Sequence, residues 1–266
     1  MLAGSMTASS AAAIDWPDGN VSDWNNEQKL IATNAAGSLF VLGWGIVNWD
    51  YFQKQPHSGN EGWFGEDTDE GGADKLGHFY AGYVLSHGLA YQYERWGYRH
   101  DQAAVYGALS GFGLTGLMEL GDSFSRYGFS YEDMVMNTLG SLAGYLVWIH
   151  PELMRKIDIR LEFMPRFDQG DVFTDYEHQK YLIALKLDGF DGLRDSPLRY
   201  LDLQFGYYAR NYSQSNSATG ERNLYVGLGL NLSRVFTDLS WWKTARVFNY
   251  LQLPGTHVDL RRDLND

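Results

Sequence analysis

Seven residues near the middle of the sequence have the types and spacings from which a site can be built: Asp74, Lys75 and His78, then Glu119 and Asp122, then Asp133 and Asn137. Asp74 and His78 stand four apart, Glu119 and Asp122 three, Asp133 and Asn137 four, so on helices each pair falls on one face. One imidazole among several carboxylates suits a divalent cation. It equally suits acid–base hydrolysis of a lipid-linked ester, with His78 as base and a carboxylate orienting it. Ser86, Ser110, Ser123 and Ser125 lie in no Gly-x-Ser-x-Gly context, so hydrolysis there would need metal-activated water. A structural reading competes. Ser130-x-x-Asp133 has the spacing of a helix cap, and Asp74 stands where a helix start favours negative charge. Lys75 is available to Glu119 or Asp122, and a closed polar network would orient three helices without any turnover. That reading leads, with no catalytic residue, resident metal or cofactor assigned.

Four helices must position these residues, over about 28–52, 74–96, 102–122 and 131–149. The first is apolar from Leu30 to Trp49, long enough to cross a bilayer, with Trp44, Trp49 and Tyr51 placed to suit an interface. The third contains Gly107-x-x-x-Gly111 and the fourth Gly140-x-x-x-Gly144, ending before Pro151. Small residues four apart let helix backbones approach closely, as they do in membranes. The loop 53–72 is acidic, and its Asp67-x-Asp69 spacing lacks the twelve-residue pattern of a calcium loop.

Past Pro151 the apolar period changes to two. Ile157 to Phe163, Tyr181 to Leu187, Leu201 to Tyr207 and Leu224 to Leu232 each alternate, with glycines on the alternate face of the last run and the polar tract Asn211 to Arg222 before it. Four strands with one apolar face make a meander that is either covered or faces lipid. They resemble bacterial outer-membrane hairpins but are too few to close a barrel, leaving the sheet to lie on the helices, pair across subunits or sit at the membrane. Trp241 and Trp242 open a short last helix, and the tail after Pro254 is charged. The remaining histidines, His57, His87, His100, His150, His178 and His257, have no partner at ligand spacing and read as surface or interface residues.

The order Asp-Lys-x-x-His-Phe, Glu-x-x-Asp, then Gly-Phe-Ser-x-x-Asp-x-x-x-Asn-x-x-Gly-x-x-x-Gly, spanning about 73–145, resembles the YfiM-like family of bacterial envelope lipoproteins and, more distantly, VanZ-like membrane proteins. The resemblance implies an envelope location and brings no established activity. It departs from the family in one respect: the sequence holds no cysteine to carry acyl chains. Residues 1–13 resemble the end of a secretory signal without its basic n-region.

The formal charge of -12 argues against nucleic acid as a partner. The expected fold is α+β: a lead-in over 1–27, a four-helix, glycine-packed, membrane-type bundle over 28–150, and a four-stranded antiparallel amphipathic β-meander with a short C-terminal helix over 151–266. The expected function is a bacterial envelope protein at the outer membrane or its periplasmic face, structural or lipid- and partner-binding. Membrane lipid is the expected partner, with other envelope proteins or a second copy through the sheet edges. The alternative is a metal-assisted hydrolase acting on an envelope lipid or glycan.

Overall fold

The computed structural model describes residues 21–164, 171–212 and 220–265. Residues 1–13, read as a signal remnant, and residues 213–219 of the polar tract lie outside them. Four long helices come first, α1 (Asn26–Asn48), α2 (Ala73–Arg95), α3 (His100–Asp122) and α4 (Tyr131–Ile149), followed by the short α5 (Pro151–Lys156). Their limits have local causes. Gln28 N donates to Asn25 Oδ1 at 2.9 Å while Asn25 N donates to Gln28 Oε1 at 2.8 Å, a reciprocal cap that starts α1. Asp133 N donates to Ser130 Oγ at 3.2 Å to start α4, and Pro151 cannot continue it.

Helix α2 lies between α3 and α4, and glycines set the closeness of both contacts. A Cβ at Gly107 of α3 would stand 2.6 Å from Ser86 O and Ala90 N, and one at Gly140 of α4 would overlap the carbonyl of Phe79. Backbone cannot move aside as a flexible side chain does. Gly140→Ala is therefore expected to cost about 3 kcal/mol, whereas Gly88→Ala on the open face of α2, where a Cβ meets nothing, should add up to about 1 kcal/mol. Equal urea midpoints for the two variants would refute this packing.

The outer surface of the bundle is apolar. Leu39 at 72% and Val47 at 79% exposure on α1, with Leu109 and Leu120 on α3 and Leu139 and Leu142 on α4, face outward. Helices α1 and α3 are long and apolar enough to cross a membrane. Of the aromatics expected at an interface, Trp49 and Tyr51 are instead buried. The Tyr51 ring fills the space that Gly45 of α1 and Gly121 of α3 leave open, a close approach of helices that no spacing announces.

The expected four-stranded antiparallel meander is in fact a six-stranded mixed sheet. Strands β1 (Ile157–Phe163), β2 (Gln179–Lys186), β3 (Leu201–Arg210) and β4 (Glu221–Leu230) follow the alternating runs, then α6 (Leu232–Asp238) and α7 (Trp242–Val247) precede β5 (Leu251–Gln252) and β6 (His257–Asp263). The order is β5-β1-β2-β3-β4-β6, and β5 runs parallel to β1. The supposed charged tail is the edge strand β6. Its Val258 and Leu260 alternate with His257, Asp259 and Arg261, too few apolar residues to read as a strand until a polar sheet face is there to receive the others.

That polar face is the enclosed one. One row across the sheet runs Asp158, Ala184, Gln204, Gly227, Asp259, and the row on the opposite face runs Ile159, Ile183, Phe205, Val226, Leu260. The edge strands β5 and β6 are joined through residues 253–256, and Glu162 of β1 approaches His257 of β6 at 3.3 Å. The sheet thus curls into a trough with charge inside. Its apolar face packs in part on the helices, where Ile159 meets Tyr83 and Val147 and Tyr181 meets Tyr80 at 6.1 Å. Elsewhere it is bare: Phe205, Leu224, Val226, Val258 and Leu260 are exposed, the last at 85%.

Candidate functional site

The buried charged residues of the bundle gather at one end, where α2 begins, α3 finishes and α4 begins. Lys75 Nζ lies 2.7 Å from Asp74 Oδ2, 2.8 Å from Asp133 Oδ1 and 2.5 Å from Glu61 Oε2. His78 Nδ1 lies 3.2 Å from Glu119 Oε1 and 3.3 Å from Asn137 Oδ1, and its Nε2 is 3.8 Å from Asp133 Oδ2. Helical spacing brings each pair to one face, and the glycine contacts bring the faces together. Lys75, Glu119, Asp133 and Asn137 are buried, while His78, Asp74 and Glu61 form a half-buried edge. Lys75 turns to Asp74 and Asp133, not to the Glu119 or Asp122 that spacing offered it.

Asp122 stands at the margin. It lies beside the hydroxyl of Tyr51, which donates to Met118 O at 2.9 Å. Burial, with Asp122 and Glu119 close by, holds the Tyr51 phenol well above its ordinary range, so it remains a donor. Three members escaped the sequence reading. Glu61 reaches in from the acidic loop, Tyr51 from the α1 terminus, and Glu132 is buried beside Ser130, whose hydroxyl donates to it at 3.3 Å. Only the apolar neighbours of Glu61, Gly62 and Trp63, hinted that this loop folds inward.

Around the cluster lies a further ring of acids. Burial first, then the nearby Asp74, Glu177, Asp69 and Asp175, push the Glu70 carboxyl up to about 8. A carboxyl whose folded-state pKa lies above its unfolded value favours the folded state below the unfolded pKa, and that contribution disappears as pH rises through 8. The protein is therefore expected to lose up to about 3 kcal/mol, after allowance for the partial exposure of Glu70, on going from about pH 5 to about pH 9. Glu70→Gln should flatten that profile. Denaturation midpoints at both pH values check it, and an unchanged slope in the variant would reject it.

The trough holds a second polar network. Arg160 donates to Asp158 at 2.6 Å, Asp202 at 2.7 Å and Gln252 at 3.0 Å, and Lys186 pairs with Asp158 at 2.7 Å. Lys180 pairs with Glu162 at 2.9 Å. Charges nearly balance here, as a structural network requires. The histidines also divide differently from expectation: His87 is buried, with Gly144 O at 2.9 Å and Tyr250 Oη at 3.1 Å from its ring nitrogens, and His257 is enclosed beside Glu162.

Residues 60–149 match the model of a family described as predicted periplasmic lipoprotein (DUF2279). The matched segment carries all of the helical site residues and covers about a third of the chain. The likeness is to an uncharacterised family of the bacterial cell envelope. No curated protein and no solved structure matches the chain.

Proposed function

From that envelope likeness we propose that the protein is a membrane-embedded scaffold of the bacterial envelope, seated in the outer membrane, with lipid around its apolar exterior and its buried polar clusters holding the elements in register. One observation carries the reading: the molecule is inside out. Two clusters of charge are enclosed, in the bundle end and in the trough, while leucine, valine and phenylalanine side chains cover the outer faces of α1, α3, α4 and the sheet. Exposed apolar side chains on two unlike surfaces mark a membrane- or partner-contacting exterior. The dimensions agree. Stretches 30–49, 76–93, 102–118 and 134–151 hold no Asp, Glu, Lys or Arg, and the shortest is about 26 Å long as a helix, close to the roughly 30 Å of a hydrocarbon core.

Metal-assisted hydrolysis, the rival, needs a cleft at the polar cluster wide enough for a lipid or glycan. The burial of Lys75, Glu119, Asp133 and Asn137 supports a positioning role for the cluster instead.

The native chain has no cysteine, so single-cysteine variants take a spin label at one place only. Leu39→Cys, Leu109→Cys and Leu228→Cys, labelled and reconstituted in vesicles, should be accessible to oxygen and shielded from a water-soluble nickel chelate, with Glu66→Cys showing the reverse. Shielding absent at all three leucine positions would end the proposal. Recovery of the intact protein from inner-membrane fractions would end its outer-membrane part.

A further inference from the structure

We infer that the end of the bundle is a structural site for a divalent first-row cation of the Zn²⁺ or Mn²⁺ class, held by His78, Glu119, Asn137 and Asp133. The inference stands on the cluster's own geometry and does not depend on the membrane reading.

The ring of His78 is flanked by oxygen on both sides: Glu119 Oε1 at 3.2 Å and Asn137 Oδ1 at 3.3 Å from Nδ1, Asp133 Oδ2 at 3.8 Å from Nε2. A neutral imidazole has one N–H, and with that proton on Nε2 the Nδ1 lone pair faces the Glu119 and Asn137 oxygens. Something positive belongs between them. The buried oxygens ask for the same thing. Glu119 is 1% exposed, and its Oε1 accepts no hydrogen bond. The nearest donor to the rest of the Glu119 carboxylate is Ser130 N, at 3.4 Å. Buried groups are rarely left in this condition.

Charge points the same way. Among the described residues, the carboxylates Glu61, Asp74, Glu119 and Asp133, with Asp122 at the margin, gather about one cation, Lys75, which is already committed to Glu61, Asp74 and Asp133. Lys75 forms no ion pair with Glu119, whose nearest basic group is His78. The spacing suits a small ion. Ligand atoms about 2.1 Å from a tetrahedral centre are about 3.4 Å apart, close to the 3.2 and 3.3 Å edges that His78 Nδ1 makes with Glu119 and Asn137. Donor atoms of His78, Glu119 and Asp133 all lie within 4.8 Å of one another, so Asp133 is near enough to move in and supply the fourth corner. An imidazole nitrogen with carboxylate oxygens selects Zn²⁺ or Mn²⁺ over Mg²⁺ or Ca²⁺, which take oxygen alone. Four protein ligands and a buried setting make the site a structural one, with no open position for substrate.

The full-length protein, stripped with a chelator and dialysed at neutral pH against Zn²⁺ or Mn²⁺, should take up one ion per chain and melt at a higher temperature, with Mg²⁺ giving no shift. Loaded with Co²⁺, it should develop a ligand-field band in the visible region. His78→Ala and Asn137→Ala should weaken uptake by about a hundredfold or more, and His178→Ala, outside the cluster, should leave it unchanged. The Co²⁺ band and the imidazole nitrogen resonances of His78 are read on the wild-type protein, so the test stands even if a cluster variant fails to fold. Three results would overturn the inference: no uptake by folded wild-type protein, uptake that His78→Ala leaves intact, or resonances showing His78 as an imidazolium that stays unchanged when metal is added.

Discussion

Lys75→Met should be among the most damaging single substitutions in the bundle, lowering stability by about 3–5 kcal/mol at neutral pH. The side chain is 1% exposed and touches three carboxylates from three segments, Glu61 of the acidic loop, Asp74 of α2 and Asp133 of α4. Methionine fills most of the lysine's volume, so cavity formation contributes little and the loss reports charge. The carboxylates are left facing one another without a counter-ion, a larger penalty than the net worth of the ion pairs themselves. The Glu61 carboxyl is already held above its ordinary range by burial and by Asp133, with Lys75 pulling it down. Without that lysine it rises further, so the variant should recover part of its stability in mild acid, where a protonated Glu61 needs no cation. Chemical denaturation at neutral and mildly acidic pH checks both statements. A loss under about 1 kcal/mol would mean that water reaches the cluster and screens it.

Arg160→Met is expected to have an effect of similar size in the sheet, about 3–5 kcal/mol. The guanidinium lies inside the trough and joins β1 to β3 through Asp202 at 2.7 Å and to β5 through Gln252 at 3.0 Å. Asp158 would keep Lys186 at 2.7 Å, but Asp202, fully buried, would keep only the amide of Gln204 at 2.8 Å. The strand most affected should be β5, which pairs with β1 over two residues only and depends on the side-chain contacts of Gln252. Amide exchange should therefore speed up at 251–252 before it does in β2 or β3. The double variant Arg160→Met/Asp202→Asn should recover much of the loss, because it removes the orphaned charge along with its partner. Additive losses in the double variant would show that the two residues do not act as a pair.

The two expectations share a cause that also separates what the chain states openly from what it does not. Local physics was legible. The caps at Asn25 and Ser130, the stop at Pro151, the helical period through α4 and the alternation of β1 to β4 all depend on near neighbours, and these elements can be read residue by residue. The pairs Asp74 and His78, Glu119 and Asp122, Asp133 and Asn137 were readable as helix-face pairs for the same reason. Glycines at 107, 111, 140 and 144 told which helix faces approach closely, because a missing Cβ has few other uses there.

Partners chosen across space were not legible. Lys75 has carboxylates within reach on three helices, and only the fold decided for Glu61, Asp74 and Asp133 over Glu119 and Asp122. Tyr51 looked like an interface residue because nothing local shows that Gly45 and Gly121 open a slot for its ring. The sheet makes the point most sharply. Period two says that β3 and β4 have an apolar and a polar face but not which is enclosed, since either face satisfies the alternation. Gly206 and Gly229 leave room on the polar face for Tyr225, Gln204 and Asp202, and the link between the edge strands β5 and β6 closes that face off. Burying charge inside and leaving leucine outside is a decision of tertiary structure, made favourable where the polar groups pair with one another and the surroundings are apolar.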